Sequence, residues 1–153
     1  MDLHVKIGDC IITQNPTDIL KTFALGTCVG VTAFSPRNRV AGMLHILLPT
    51  CPDDASRILR PYNYADTGLP MFLEKMLAAH CMKSDIIFQV YGGATSIIRE
   101  DYFRIGTRNL MEIEDLLVYY KLFYKMVDVG GSVSRTIIMN AFSGDVVINT
   151  QIF

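Results

Sequence analysis

Apolar positions along this chain follow two periods. Short runs rich in Val, Ile, Thr and Phe are cut by Gly, Pro and Asn, and two longer stretches repeat apolar residues every three or four positions. Residues 5–13 read as a strand, punctuated by Gly8-Asp9 and stopped by the turn Asn15-Pro16-Thr17-Asp18. Residues 19–33 are β-like but broken at Gly26 and Gly30. Ser35-Pro36-Arg37-Asn38 is a turn, and residues 40–48 are a buried strand ended by Pro49. Residues 50–61 read as a surface loop. In 69–81, Leu69, Phe72, Leu73, Met76, Leu77 and His80 share one helical stripe; in 110–120, Leu110, Ile113, Leu116, Leu117 and Tyr120 do the same. Residues 85–91 and 126–129 are strands that run into Gly92-Gly93 and Gly130-Gly131. Residues 135–141 and 145–149 flank Phe142-Ser143-Gly144 as a closing hairpin. Six or more strands and about two main helices predict an α+β fold.

Composition narrows the function classes. The chain has 153 residues, 50% hydrophobic and 19% charged, which suits one domain with a real core and argues against disorder. Its net charge of −1 provides no basic patch for nucleic acid and no polybasic membrane anchor. The N-terminus has no basic segment followed by an apolar one, so no signal peptide is expected. The longest near-apolar stretch, 40–49, contains His45 and falls far short of the ~20 residues of a membrane helix. A cytoplasmic protein with no membrane insertion is expected. Cys10, Cys28, Cys51 and Cys81 form no CxxC pair, so free thiols are expected and neither a disulfide nor a zinc site is.

The informative segments are Leu25-Gly26-Thr27-Cys28-Val29-Gly30 and Met43-Leu44-His45-Ile46-Leu47-Leu48-Pro49. If residues 35–38 form a four-residue hairpin loop, Cys28 stands directly opposite His45, with Cβ atoms ~4.5–5.5 Å apart. A slip of one residue would separate them onto opposite faces. A Cys–His pair is the minimum for thiol hydrolase chemistry, the imidazole taking the thiol proton and later protonating the leaving group. Gly26 and the adjoining Thr27 would let backbone N–H groups approach a substrate carbonyl as an oxyanion hole. Thr22, six residues before Cys28, is a polar candidate to orient the histidine. From spacing alone, a buried inert thiol and a core histidine bonded to a carbonyl are the commoner outcome. His80 reads as a packed or helix-capping residue, Asp53-Asp54 as a helix-start or loop feature rather than an acid–base pair, and the glycine pairs as tight turns rather than phosphate loops. Cys10 and Cys81 read as buried thiols, Cys51 as a loop cysteine, and Arg57 and Arg60 as solvated charges or guides for an acidic helix.

These two segments resemble the CheD family, the chemoreceptor glutamine deamidases of bacterial chemotaxis. The resemblance continues through Tyr64-Ala65-Asp66, Tyr91-Gly92-Gly93-Ala94, Ile105-Gly106-Thr107-Arg108-Asn109, Asp128-Val129-Gly130-Gly131, Arg135 and Ser143-Gly144, nearly the whole chain in the family's order. It implies one CheD-like domain over 1–153, with a β-sandwich-like core and outer helices similar to toxin-type cysteine deamidases. It implies hydrolysis of glutamine side chains on methyl-accepting chemotaxis receptors through a Cys-thioester. The matching positions are Cys28 as nucleophile, His45 as base and acid, and Thr22 as the residue orienting His45. It also implies a CheC-type phosphatase as partner, bound on the surface that takes the receptor, and no metal or organic cofactor. Val90-Tyr91 and Ser132-Val133-Ser134 depart from the family pattern, outside the triad. Two other readings compete: a binding module that regulates the phosphatase with little turnover, and a thiol-dependent receptor methylesterase.

Overall fold

A computed structural model describes residues 1–95 and 103–152. Its strands are β1 (Asp2–His4), β2 (Cys10–Thr13), β3 (Ile19–Leu25), β4 (Val29–Ser35), β5 (Val40–Ile46), β6 (Ile87–Gly92), β7 (Phe123–Val129), β8 (Val133–Asn140) and β9 (Val146–Ile152). The helices are α1 (Asp54–Leu59), α2 (Ala65–Ala78) and α3 (Ile105–Tyr119). One sheet has the order β1-β3-β8-β9 and the other β2-β5-β4-β6-β7. The α+β expectation holds, with mixed sheets: β1–β3 and β6–β7 are parallel and the remaining ladders antiparallel.

Alternation along β4 and β5 builds three layers. Val29, Val31, Ala33, Leu44 and Ile46 face α2 and α3, where Leu69, Phe72, Met76, Ile113 and Leu117 cover them. The opposite face carries Ala41 and Met43, which pack with Leu20, Leu25, Ile137 and Met139 of the other sheet. With both faces covered, every residue of β5 is buried, which is why residues 40–46 read as an apolar run without alternation. His45 is the one ionisable side chain in that run, and it points into the layer between the sheets, on the face of Ala41 and Met43.

Several expectations are corrected. Residues 5–13 are not one strand: the turn Lys6–Asp9 intervenes, with Gly8 at φ 76° and the Asp9 carboxylate accepting from the Lys6 N–H at 2.9 Å. The loop at 50–61 contains α1, with Asp53 as its N-cap, accepting from the Ser56 N–H at 2.7 Å. The strand at 126–129 starts earlier, at Phe123, and pairs parallel with β6 through the α3 crossover. The α2 stripe stops short of its sequence limit, for Leu77 is 37% exposed and the His80 ring faces solvent. His80 ends the helix through its backbone. It takes φ 70°, its N–H donates to Leu77 O at 3.0 Å, and the Cys81 N–H donates to Met76 O at 3.3 Å. Cys10 is only half-buried, whereas Cys81 is buried as expected.

Candidate active site

The register of the β4–β5 hairpin differs from the sequence expectation by two. Ser35 pairs with Val40, so the loop is residues 36–39, and Gly30 stands opposite His45. Arg39 closes the loop at φ 56°, and its guanidinium lies 4.8 Å from the centre of the Phe142 ring. Sliding the loop by one residue moves the pairing by two, and an even shift preserves faces. Cys28 therefore sits diagonally from His45 instead of directly across. It packs with Leu25, Met43, Tyr91 and Ile137 in the layer into which His45 points.

Thr22 comes from the facing sheet. Its hydroxyl oxygen lies 2.7 Å from His45 Nδ1 and 2.6 Å from the carbonyl of Val5. A hydroxyl has one proton, and Val5 O can only accept, so that proton is committed to Val5. Toward His45 the hydroxyl can then only accept. Nδ1 therefore carries the ring proton, and Nε2 is left with a bare lone pair. Nε2 is buried and has no hydrogen-bond partner among the described residues. A buried acceptor without a donor is costly, by about 1–3 kcal/mol, and its lone pair can take a proton. The His45 backbone is gripped as well: its carbonyl accepts from Gly8 N at 2.9 Å and its N–H donates to Asp9 O at 3.2 Å.

A bulge in β3 makes this placement possible. The register with β8 shifts between Thr22 and Leu25, and Ala24 takes φ 55°. The extra residue lets both Thr22 and Leu25 point inward while Phe23 turns out, 48% exposed. Phe23 meets the His4 ring edge-on at 4.9 Å. Together with Val5, Lys6 and Ile7 these residues line a cavity of about 340 Å³ that reaches Thr22 and His45.

The loop 26–28 is held by its carbonyls. Gly26 O accepts from Ala94 N at 2.8 Å and Cys28 O from Gly93 N at 2.8 Å. Thr27 O accepts from the Asn109 side-chain amide at 3.0 Å. Among the described residues nothing accepts from the N–H groups of Gly26, Thr27 or Cys28, which leaves donors in the segment proposed from sequence as an oxyanion hole.

Burial sets the protonation states. It pushes the Cys28 thiol up to about 11. It pulls His45 down to about 4, more strongly than the Asp9 carboxylate and the Val5 backbone draw it back up. At neutral pH the pair rests as thiol and neutral imidazole. The arrangement suits a base that removes the thiol proton as the sulfur attacks, not a preformed thiolate–imidazolium pair.

Sequence reasoning overlooked Asn109 as part of this site, although its motif was noted. The available signal was an amide at a position four residues before Ile113, on the face of α3 formed by Gly106, Asn109, Ile113 and Leu117. Cys51 bonds locally, its thiol donating to Asp53 O at 3.2 Å and its N–H to Asp66 Oδ1 at 2.9 Å. Among the described residues no cluster of three or more His, Cys, Asp or Glu is placed to hold a metal. No helix among them is long and apolar enough to cross a membrane.

Comparison with known proteins supplies the context. A family model described as CheD, chemotactic sensory transduction, matches residues 47–150. The chain is 31% identical over 98% of its length to a protein named probable chemoreceptor glutamine deamidase CheD 1 from Syntrophus aciditrophicus, covering 94% of that protein. It is 35% identical to the probable chemoreceptor glutamine deamidase CheD 2 of Anaeromyxobacter dehalogenans, over 95% of this chain and 92% of that one. The corresponding protein of Syntrophotalea carbinolica is 32% identical over 94% and 90% of the two chains. Among solved structures, a Neisseria meningitidis protein of the DUF152 family aligns with TM-score 0.48 and 8% identity, over 85% of this chain and 62% of that one.

Proposed function

The chain belongs to the CheD family, and on that premise we propose that it is an amidohydrolase that deamidates glutamine side chains of chemoreceptors, with Cys28 as its nucleophile. The observation that carries the reading is the Thr22–His45 contact at 2.7 Å, with the hydroxyl proton committed to Val5 O. It leaves a bare, buried Nε2 on the face that holds the Cys28 thiol.

The reaction follows from these groups. The Cys28 Sγ bonds to the carboxamide carbon while its proton passes to His45 Nε2. The carbonyl oxygen becomes an oxyanion, met by N–H groups of the loop 26–28. The imidazolium gives its proton to the amide nitrogen, the C–N bond breaks, and ammonia leaves a γ-glutamyl thioester. Water then gives a proton to Nε2 as its oxygen adds to the thioester carbon. The C–S bond breaks, the sulfur regains a proton from His45, and glutamate is released. Nδ1–H stays hydrogen-bonded to Thr22 throughout, so the ring keeps its orientation while Nε2 gains and loses the proton. Ile7 and Phe23, 53% and 48% exposed, give the cavity an apolar rim suited to the aliphatic stem of a glutamine and its neighbours on a protein substrate.

The same rim is the surface on which a CheC-type phosphatase would compete with the receptor. Receptor methyl esters would pass through the same thioester, so the geometry does not distinguish amide from ester; the name shared by the relatives favours the amide.

The test is a mass-spectrometric deamidation assay on cytoplasmic receptor fragments from the same organism, with wild type and Cys28→Ala. Conversion of Gln to Glu with ammonia release by the wild type alone is expected. Equal conversion by Cys28→Ala would remove Cys28 as nucleophile. No conversion by the folded wild type, together with stoichiometric binding to the phosphatase, would establish the binding module instead.

A further inference from the structure

We propose that Asn109 is a positioning residue for the nucleophile, its amide clamping the Cys28 loop to the end of the strand that carries His45. The inference rests on the reading of Cys28 and His45 given above. Asn109 is fully buried. Its Nδ2 donates to Thr27 O at 3.0 Å and to Leu47 O at 3.1 Å. Thr27 immediately precedes Cys28, and Leu47 follows His45 by two residues. One NH₂ group thus spans the two segments on which the nucleophile and its base are mounted, where the β4–β5 ladder has already ended at Val29 and Ile46.

The hydrogen-bond logic fixes which end of the amide does this. Two carbonyl oxygens face the same terminal atom, and only the NH₂ end can satisfy both. Oδ1 is left buried without a partner among the described residues. Both protons of this one amide are given to the loop and to the strand end.

Asn109 acts from a rigid base. The start of α3 presses on the turn after β6, since a Cβ at Gly106 would overlap the carbonyl of Ala94. That turn in turn donates from Gly93 N and Ala94 N to Cys28 O and Gly26 O. Residues 26, 27 and 28 are therefore each tied by their carbonyls, two by backbone and, among the described residues, the middle one by Asn109.

The experiment measures Cys28 without needing a receptor. Wild type, Asn109→Ala, Asn109→Asp and Asn109→Ser are alkylated with iodoacetamide across pH 6–10. Modification at Cys28 is quantified by peptide mass spectrometry, separately from Cys10, Cys51 and Cys81. Ile113→Val, a buried change on the same helix that touches neither carbonyl, is the stability control. In the three Asn109 variants the pH profile of Cys28 alkylation is expected to shift from the wild-type curve. Their kcat for deamidation should drop about 10–100-fold with KM within about twofold, as displacement of a reacting group predicts. Asn109→Asp should be the most impaired, since it sets a carboxylate oxygen against two carbonyls. Asn109→Ser, the gentlest change, keeps the test available if the others do not fold. Wild-type alkylation and kcat in any folded Asn109 variant would overturn the proposal, as would equal losses in Ile113→Val. If the wild type itself fails to deamidate, the alkylation profiles still decide whether Asn109 positions Cys28.

Discussion

Gly92 stands against the carbonyl of Cys28 so closely that a Cβ there would overlap the oxygen. It sits opposite Val29 in the β4–β6 ladder, at φ 98°, a backbone region that favours glycine. The main chain of Cys28, the proposed nucleophile, is therefore shaped by the absence of a side chain on the next strand, and the following N–H, from Gly93, holds the same carbonyl at 2.8 Å.

Gly92→Ala should impair the enzyme through both effects. The strain alone is about 1–3 kcal/mol, which lowers Tm by about 2–4 °C per kcal/mol in a domain of this size. Displacement of the Cys28 carbonyl should reduce kcat about tenfold or more. Gly131→Ala provides the comparison: φ is 68°, but nothing lies within 4 Å of the added Cβ. It should lower Tm and leave kcat within about twofold. Equal kcat losses in the two variants would mean that contact with Cys28 is not the cause.

Thr22 separates orientation from nucleophilicity. Thr22→Val removes the acceptor for His45 Nδ1–H and the donor to Val5 O, leaving two buried polar groups unpaired at about 1–3 kcal/mol each. The ring is then free to take the other tautomer, and kcat should fall about 10–100-fold while Cys28 remains present. Thr22→Ser keeps the hydroxyl and should retain activity within a few-fold. Steady-state deamidation kinetics and thermal melts of both variants check this. Full activity in a folded Thr22→Val protein would show that the 2.7 Å contact does not orient the base.

His45 should give the fold a specific acid sensitivity. Its native pKa is held near 4, below the unfolded value of 6.5. Between pH 6.5 and 4 the unfolded chain binds a proton that the native site resists, so stability contributed by this group is full above 6.5 and is lost as pH falls toward 4. At ~1.4 kcal/mol per pKa unit the loss is on the order of 3 kcal/mol. Urea denaturation of wild type and His45→Gln from pH 4 to 8 checks it, and the difference between the curves should grow in that window. Curves that stay parallel would show that burial does not hold the imidazole neutral.

The strands and helices were legible because apolar period and turn residues are local signals. The run 40–48 identified a buried strand, of which residues 40–46 form β5. The facing of Cys28 and His45 survived an error in the hairpin loop because the error was even. The exact partner did not survive, since the turn closes one residue later than its composition suggests, with Ser35 paired to Val40. α1 was missed because six residues with no buried side chain leave no apolar stripe to read.

What the sequence determined by itself was the inventory: Cys28, His45 and Thr22 on strand-like segments, a glycine-rich approach to the cysteine, and the order of motifs that marks the family. Tertiary structure alone decided how those residues serve one another. The bulge after Thr22 brings its hydroxyl across from another sheet, the Val5 carbonyl takes the hydroxyl proton and so sets the imidazole tautomer, and Asn109 reaches from α3 to the loop before Cys28. Each is a contact between segments distant along the chain. A pattern of period two or 3.6 records which face of an element is buried, but not which atom of another element will meet it there.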